Sequence, residues 1–226
     1  MGRGNWQQAL KARLGTVLLL KFLTTTGGIA VFFYAYFWAM RHPLSAVTVM
    51  PVTWLDGLVG FHPQSFALYA SLWVYIALGT ALPRDLPELS AFGLGSLAMI
   101  LVGLGIFMLL PTKVPDLSID WTLYPSLQFL KNVDASGNAC PSLHAAFSVF
   151  TALALRAQLP EIGAPRWLLA CSALWGLGIL YSTIATRQHV ALDVVAGVVL
   201  GGTVSIAYLD ALARRNQIAV GGGPRP

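Results

Sequence analysis

The sequence predicts an all-α polytopic membrane protein, a bundle of six transmembrane helices. Three observations carry that expectation. Of 226 residues, 56% are hydrophobic and only 10% charged, and the mean hydropathy is +0.68, whereas a soluble domain carries about 25% charge to solvate its surface. Several apolar runs approach the ~20 residues that a helix needs to cross a hydrocarbon core of about 30 Å. Pro83, Pro87, Pro111, Pro115, Pro141, Pro160 and Pro165 fall between or at the ends of those runs, where proline disturbs a helix least.

The first run, 16–40, follows the basic residues Lys11 and Arg13 and holds Lys21 at a depth from which it could snorkel to the interface. It is too long, and too poor in small residues at its end, for a cleaved signal peptide. The second is 65–82. The third, 89–110, has no charge between Leu89 and Leu110 and stops at Pro111. The fourth, 142–159, starts where Pro141 turns the chain and Ser142 is placed to cap a helix. The fifth is 167–185. The sixth, 190–209, begins with a polar end because Asp193 lies in its first turn. Each is expected to keep its backbone hydrogen bonds internal, as hydrocarbon demands.

Basic residues set the orientation. Ten of the 14 lysines and arginines lie in the tails and in the loops after runs two and four: Arg3, Lys11, Arg13, Lys21, Arg84, Arg156, Arg166, Arg214, Arg215 and Arg225. The alternate loops hold Arg41, Lys113, Lys131 and Arg187. Both termini are therefore expected in the cytoplasm, with the loops after runs one, three and five outside. The net charge of +5 reads as this topology signal, with no nucleic-acid partner implied. Cys140 in an outer loop and Cys171 within run five lie at different depths and are expected to stay unpaired. No metal set is visible. Apart from a GGGPRP tail the chain has no low-complexity stretch and no repeat, so 1–226 reads as one domain.

Two outer loops carry the polar chemistry. One contains Lys113, Asp116, Asp120 and Asp134 and ends in CPSLH, which puts His144 in the first turn of the fourth run, beside a positive helix end able to attract an anion. The other reads STIATRQHVALD, with His189 and Asp193 four residues apart. If that stretch is helical, they share a face one turn apart. A carboxylate can then hold one imidazole nitrogen and leave the other as a base or nucleophile. With His144 as a second imidazole this is a kit for nucleophilic phosphoryl transfer, and Arg187 and Lys113 are candidates to neutralise phosphate charge. Both cations also fit plain interfacial anchors. Asp116, Asp120 and Asp134 read as solvated loop carboxylates, and Trp121, Tyr124, Trp167 and Tyr181 as an interfacial belt. His42 and His62 show no partner in the sequence.

Pro141-Ser142-Leu143-His144, followed by Ser182-Thr183, five residues, His189, three residues, Asp193 and then Ala196-Gly197, resembles the second and third motifs of the type 2 phosphatidic acid phosphatase superfamily, PSGH and SRxxxxxHxxxD. The matching segments cover roughly 110–202. The resemblance implies a six-helix membrane core with its active site at one membrane face, here the outer one. It implies a phosphohistidine on His189, orientation of His189 by Asp193, protonation of the departing alcohol by His144 and phosphate binding by Ser142, with no cofactor and no metal. The chain departs from the family pattern in three places: Lys113 is not followed by the Arg-Pro of a first motif, Thr183 replaces the third-motif arginine, and Leu143 stands in place of glycine. These variants look more like the branch of inositol phosphorylceramide and sphingomyelin synthases, which move a phospho-head-group between lipids.

The expected function is thus an integral-membrane lipid phosphatase or phosphotransferase, taking a lipid phosphate and either water or a lipid alcohol as acceptor. The rival reading is a non-catalytic lipid-binding protein or small transporter, for which Gly197, Gly201 and Gly202 would mark close helix packing; a transporter, however, usually has its ionisable residues near mid-membrane. The outer face would be periplasmic or lumenal. Short tails and the absence of glycosylation sequons from the outer loops point to a bacterial inner membrane.

Overall fold

The computed structural model describes residues 6–133 and 137–221, with side chains as far as Gln217; Asp134, Arg3 and Arg225 lie outside the described residues. The chain forms α1 (Trp6–Gly15), α2 (Leu18–Arg41), β1 (Thr48–Val49), α3 (Trp54–Val59), α4 (Phe66–Ala70), α5 (Leu72–Ala81), α6 (Leu86–Leu109), β2 (Thr112–Lys113), α7 (Pro125–Val133), α8 (Leu143–Glu161), α9 (Arg166–Ala185) and α10 (Ala191–Gly221). The described chain is almost wholly helical, with one pair of two-residue strands, and α2, α6, α9 and α10 are each long and apolar enough to cross a bilayer.

Among the described residues four such helices are fewer than the six expected, and the difference has physical causes. The second run is split at Ser71 into α4 and α5. There the Ser71 hydroxyl bonds the Leu68 carbonyl at 2.6 Å and receives the Trp175 indole N–H at 2.8 Å, the kind of side-chain competition that interrupts helices. The fourth run is a continuous 19-residue helix, α8, but it carries His144, Arg156 and Gln158 and is the most enclosed element. Boundaries also shift. Pro160 falls inside the last turn of α8, and α10 runs on past residue 209 to Gly221 because no proline interrupts it.

The bundle is built around α8, which packs against α10, α9, α5 and α6. Its inward face is small or aromatic: Ala145, Ala146, Phe150 and Ala154 are fully enclosed. The core continues into Tyr75 of α5, Phe92 and Met99 of α6 and Ile179 of α9. Against α10 the approach is closest. A Cβ on Gly197 would lie 2.2 Å from the Ser142 carbonyl oxygen, and one on Gly201 2.3 Å from that of Ala146. Two glycines one turn apart thus let the α8 and α10 backbones touch, the small-xxx-small packing of membrane helices.

One end of the bundle is tied by charge. Arg13 of α1 reaches Glu161 of α8 at 2.7 Å. Glu88, buried at the start of α6, takes Arg84 Nε at 2.6 Å. Asp85 caps α6 by accepting from the Glu88 N–H and pairs with Arg215 of α10 through Nη1 at 2.8 Å. Hydrogen bonding from Arg215, helped by the Glu88 N–H and the nearby guanidinium charges, holds the Asp85 carboxyl below its ordinary range. Lys21 does not snorkel. It is buried and donates to the carbonyls of Arg13 (2.7 Å) and Ala81 (2.8 Å) at the C-terminal ends of α1 and α5, where orphan carbonyls concentrate negative potential.

At the opposite end the loops are stitched together. Strands β1 and β2 pair in parallel, Thr48 beside Thr112 and Val49 beside Lys113. On its other side Thr112 accepts the Ala139 N–H at 3.0 Å through its carbonyl and the Cys140 N–H at 2.8 Å through its hydroxyl. This fixes the segment leading into α8.

Candidate active site

His144 and His189 meet at that stitched end, with ring centroids 5.9 Å apart. His144 stands in the first turn of α8 and Tyr69 of α4 stacks on it, ring centroids 4.2 Å apart and 21° between planes. Ser142 is the N-cap: its hydroxyl accepts the Ala145 N–H at 3.2 Å. Its own N–H donates to the Asp193 carbonyl at 2.9 Å, so the start of α8 is bonded to the start of α10. Ser142 is wholly buried, and its side chain serves this cap.

His189 ends a tight turn that follows α9. Arg187 adopts φ 57°, a left-handed conformation that is uncommon outside glycine, and the Gln188 and His189 N–H groups both return to the Thr183 carbonyl, at 3.2 and 3.1 Å. Thr183 itself is enclosed, with its hydroxyl on the Leu180 carbonyl. The residue standing where a motif arginine was absent from the sequence is therefore part of the turn's frame.

The Nδ1 of His189 lies 3.0 Å from the Ala139 carbonyl oxygen and 3.6 Å from Asp193 Oδ2. Sequence spacing pointed to Asp193 as the partner of the ring. The geometry brings the two side by side but makes the Ala139 carbonyl the nearer acceptor. A carbonyl only accepts, so this bond puts the proton on Nδ1 and leaves the Nε2 lone pair available. Asp193 Oδ2 instead takes the Val190 N–H at 3.0 Å, capping α10. Its Oδ1 is buried without a hydrogen-bond partner among the described residues. Neighbouring Cys140 feels both effects: burial first, then the Asp193 charge, push its thiol above the ordinary range. Both Cys140 and Cys171 are free.

One residue that the sequence reading missed holds the turn from beneath. Asp56 of α3 is completely buried. Its Oδ2 takes the Thr53 N–H and hydroxyl, both at 2.7 Å, and its Oδ1 takes the Ala191 N–H at 2.7 Å, so one carboxylate caps both α3 and α10. Arg187 Nη1 donates to the Asp56 carbonyl at 3.1 Å. The capping-box pattern Thr53-Trp54-Leu55-Asp56 was the available signal, but nothing local shows that the carboxylate also reaches residue 191.

Two cavities adjoin the turn 187–189. The larger, about 600 Å³, is overwhelmingly apolar, has His144, Gln188 and His189 at one end and extends between α2, α5 and α6. The smaller, about 230 Å³, is lined by Lys113, Lys131, Arg187, Asp116 and Trp121. Lys113 and Arg187 are thus brought together, in a cationic cleft with Lys131, but they do not line the cavity that contains the histidines. Lys131, on α7, donates to the Arg187 carbonyl at 3.0 Å and lies 5.2 Å above the Trp121 ring. Asp116 and Asp120 stay exposed and cap their own loop. His42 and His62 are engaged elsewhere, stacked on Trp38 and Tyr181.

No curated protein and no solved structure matches the chain. A family model does, over residues 86–217, more than half of the chain and the part that carries His144, His189 and Asp193. The chain therefore belongs to the PAP2 superfamily.

Proposed function

We propose that this protein is an integral-membrane phosphatase or phosphotransferase that acts on a lipid phosphate ester through a phosphohistidine. The observation that carries the reading is the pair of imidazoles, 5.9 Å apart between centroids, at the polar end of an apolar cavity that opens along membrane-length helices. His189 Nε2 attacks phosphorus and the bond from phosphorus to the lipid oxygen breaks. His144 gives its proton to that departing oxygen. A water molecule or a lipid hydroxyl then attacks the phosphohistidine, yielding its proton to His144, and the N–P bond breaks to restore the neutral ring. As Nε2 bonds to phosphorus the His189 ring gains positive charge, and the buried Asp193 carboxylate is beside it to stabilise that charge. Lys113, Lys131 and Arg187 supply the cationic side of the head-group region, in place of the motif arginines that the sequence lacks. Ser142 acts through the cap that fixes His144.

The reading takes α4–α5 and α8 as crossings beside α2, α6, α9 and α10, which puts both termini in the cytoplasm and the histidines at the outer face, in agreement with the distribution of basic residues. The chemistry calls for no metal. Leu143 and Thr183 lean the acceptor towards a lipid alcohol, as in the phospholipid head-group synthases that the motifs resemble.

The test is product analysis on detergent-purified protein offered lipid phosphates, diphosphates and phospholipids, with and without diacylglycerol or ceramide, beside His189→Ala. Inorganic phosphate that vanishes with the variant establishes hydrolysis; a new phospholipid that needs the acceptor establishes transfer. Equal inertness of both proteins across the panel would turn the reading towards a non-catalytic lipid-binding protein.

A further inference from the structure

Attack by His189 gathers negative charge on the oxygens of phosphorus, and a catalyst gains most from N–H groups fixed where those oxygens come to lie. Two motif positions, Ser142 and Thr183, are closed to that task. Both are wholly buried. Ser142 accepts the Ala145 N–H, Thr183 donates to the Leu180 carbonyl at 2.7 Å, and neither lines the larger cavity, the groove between α2, α5 and α6 that ends at the histidines. Lys113, Lys131 and Arg187 line the neighbouring cleft. They bring positive charge near, but none of them borders the histidine cavity.

Tyr36, Tyr69, Asn138 and Gln188 are the polar side chains that border this cavity beside the imidazoles. Asn138 donates to the Tyr36 hydroxyl, and the Tyr69 ring is stacked on His144. Gln188 is placed differently. It is 7% exposed, and among the described residues its amide makes one hydrogen bond, from Nε2 to the Thr186 carbonyl at 3.4 Å. That is long for an N–H bond to oxygen. An amide carries two N–H donors, so at least one of them meets no acceptor among the described residues, in a side chain that borders the reacting space.

The turn fixes that donor relative to the nucleophile. Gln188 directly precedes His189, and the backbone N–H groups of both bond the Thr183 carbonyl, at 3.2 and 3.1 Å. Arg187 before them is held at φ 57° with its guanidinium on the Asp56 carbonyl. With the backbone so pinned, the amide and the imidazole vary only among side-chain rotamers.

We infer that Gln188 is a catalytic residue: its Nε2–H donates to a non-bridging oxygen of the phosphoryl group as His189 Nε2 bonds to phosphorus. The inference rests on the phosphohistidine reading and deepens it. The N–P bond forms, the bond from phosphorus to the lipid oxygen breaks, and that oxygen leaves with the proton of His144. Gln188 forms no covalent bond and gives up no proton; it holds an oxygen that gains charge between the two events. A neutral amide thus does at the reacting phosphorus what an arginine would do by charge.

The experiment uses orthovanadate, which takes up the trigonal-bipyramidal geometry of phosphoryl transfer when a nucleophile bonds to it, so the readout is independent of the lipid. Its affinity is measured by titration calorimetry on detergent-purified wild type, Gln188→Met, Gln188→Glu and His189→Ala. In parallel, the rate at which diethyl pyrocarbonate modifies His189, read by peptide mass, reports whether the turn still presents Nε2. Wild type is expected to bind vanadate and His189→Ala to fail. Gln188→Met is expected to lose about tenfold to a hundredfold in affinity, the value of one hydrogen bond to a charged acceptor. Gln188→Glu, which sets a carboxylate against the oxyanion, loses more, and His189 is modified at the wild-type rate in both variants. Should Gln188→Met fail to fold, as read by its elution and melting temperature, Gln188→Glu decides by the same two readouts. Unchanged vanadate affinity, or a loss matched by an altered rate of His189 modification, overturns the inference and leaves the proposed chemistry standing. Wild type that binds vanadate no better than His189→Ala overturns both.

Discussion

At the scale of single residues, His189 is held by one neighbour a helical turn away and by groups from two distant parts of the chain. Ala139 holds its Nδ1, Asp193 flanks it, and Asp56 fixes the helix end behind it. Asp56 is the most exacting of these. Both of its oxygens face N–H or O–H donors, so an asparagine amide there must point its own donors at a donor, and a buried group left unpaired costs about 1–3 kcal/mol, or more when charged. We expect Asp56→Asn to lower kcat about tenfold, with KM nearly unchanged, because it shifts the nucleophile and not the groove. Steady-state kinetics together with a melting curve in detergent check this; an unaltered kcat would remove Asp56 from the account. That His189 and Asp193 lie side by side was legible in the sequence because they are one helical turn apart, whereas His144, 45 positions earlier, was joined to them by the motif resemblance. Asp56 was not, because its partner lies 135 residues away, and a fold is needed to bring the two together. The Ala139 carbonyl was invisible for a different reason, since any residue supplies a backbone acceptor.

At the scale of elements, the contact between α8 and α10 sets the distance between the two histidines. Gly197 sits against the Ser142 carbonyl, one residue from the Leu143–His144 turn, and backbone cannot yield as a flexible side chain does. Gly197→Ala is expected to separate the helices, lengthen the Ser142–Asp193 bond and destabilise the fold by about 1–3 kcal/mol, the usual cost of overpacking. Activity should fall further than stability. Gly202, where a Cβ would meet nothing within 4 Å, is the matched control, and melting and turnover of the two alanine variants compare them. Hydropathy made α2, α6, α9 and α10 legible, and the proline–serine turn at 141–142 marked the start of α8. The remaining elements were hidden by length and context. Helix α3 has six residues and α7 nine, too short for a periodic pattern to emerge from a polar loop, and the break at Ser71 depends on an indole from α9.

At the scale of the whole molecule, the two ends do different work. One end joins α1, α6, α8 and α10 through Arg13, Arg84, Asp85, Glu88, Glu161 and Arg215; the other leaves two histidines and a cationic cleft around one turn. The asymmetry in basic residues was readable from the sequence, although their pairing was not. Because Asp85 is held below its ordinary value in the folded state, its contribution to stability is present above about pH 4 and is lost as pH falls through the lower, folded value. The melting temperature should drop below pH 4, and Asp85→Asn should lower it at neutral pH while flattening that acid limb. The effect will be modest, since the pair is partly exposed and solvent screens it. An acid limb identical in wild type and variant would show that Asp85 does not link the helices in this way.

The central claim is that His189 carries the phosphoryl group during turnover. The direct measurement is rapid acid-free quenching of the purified protein with a lipid phosphate labelled at phosphorus, followed by peptide mapping of the label. An acid-labile, alkali-stable phosphate is expected on the peptide containing His189, absent from His189→Ala. Turnover without any such label, or label that persists in His189→Ala, would contradict it.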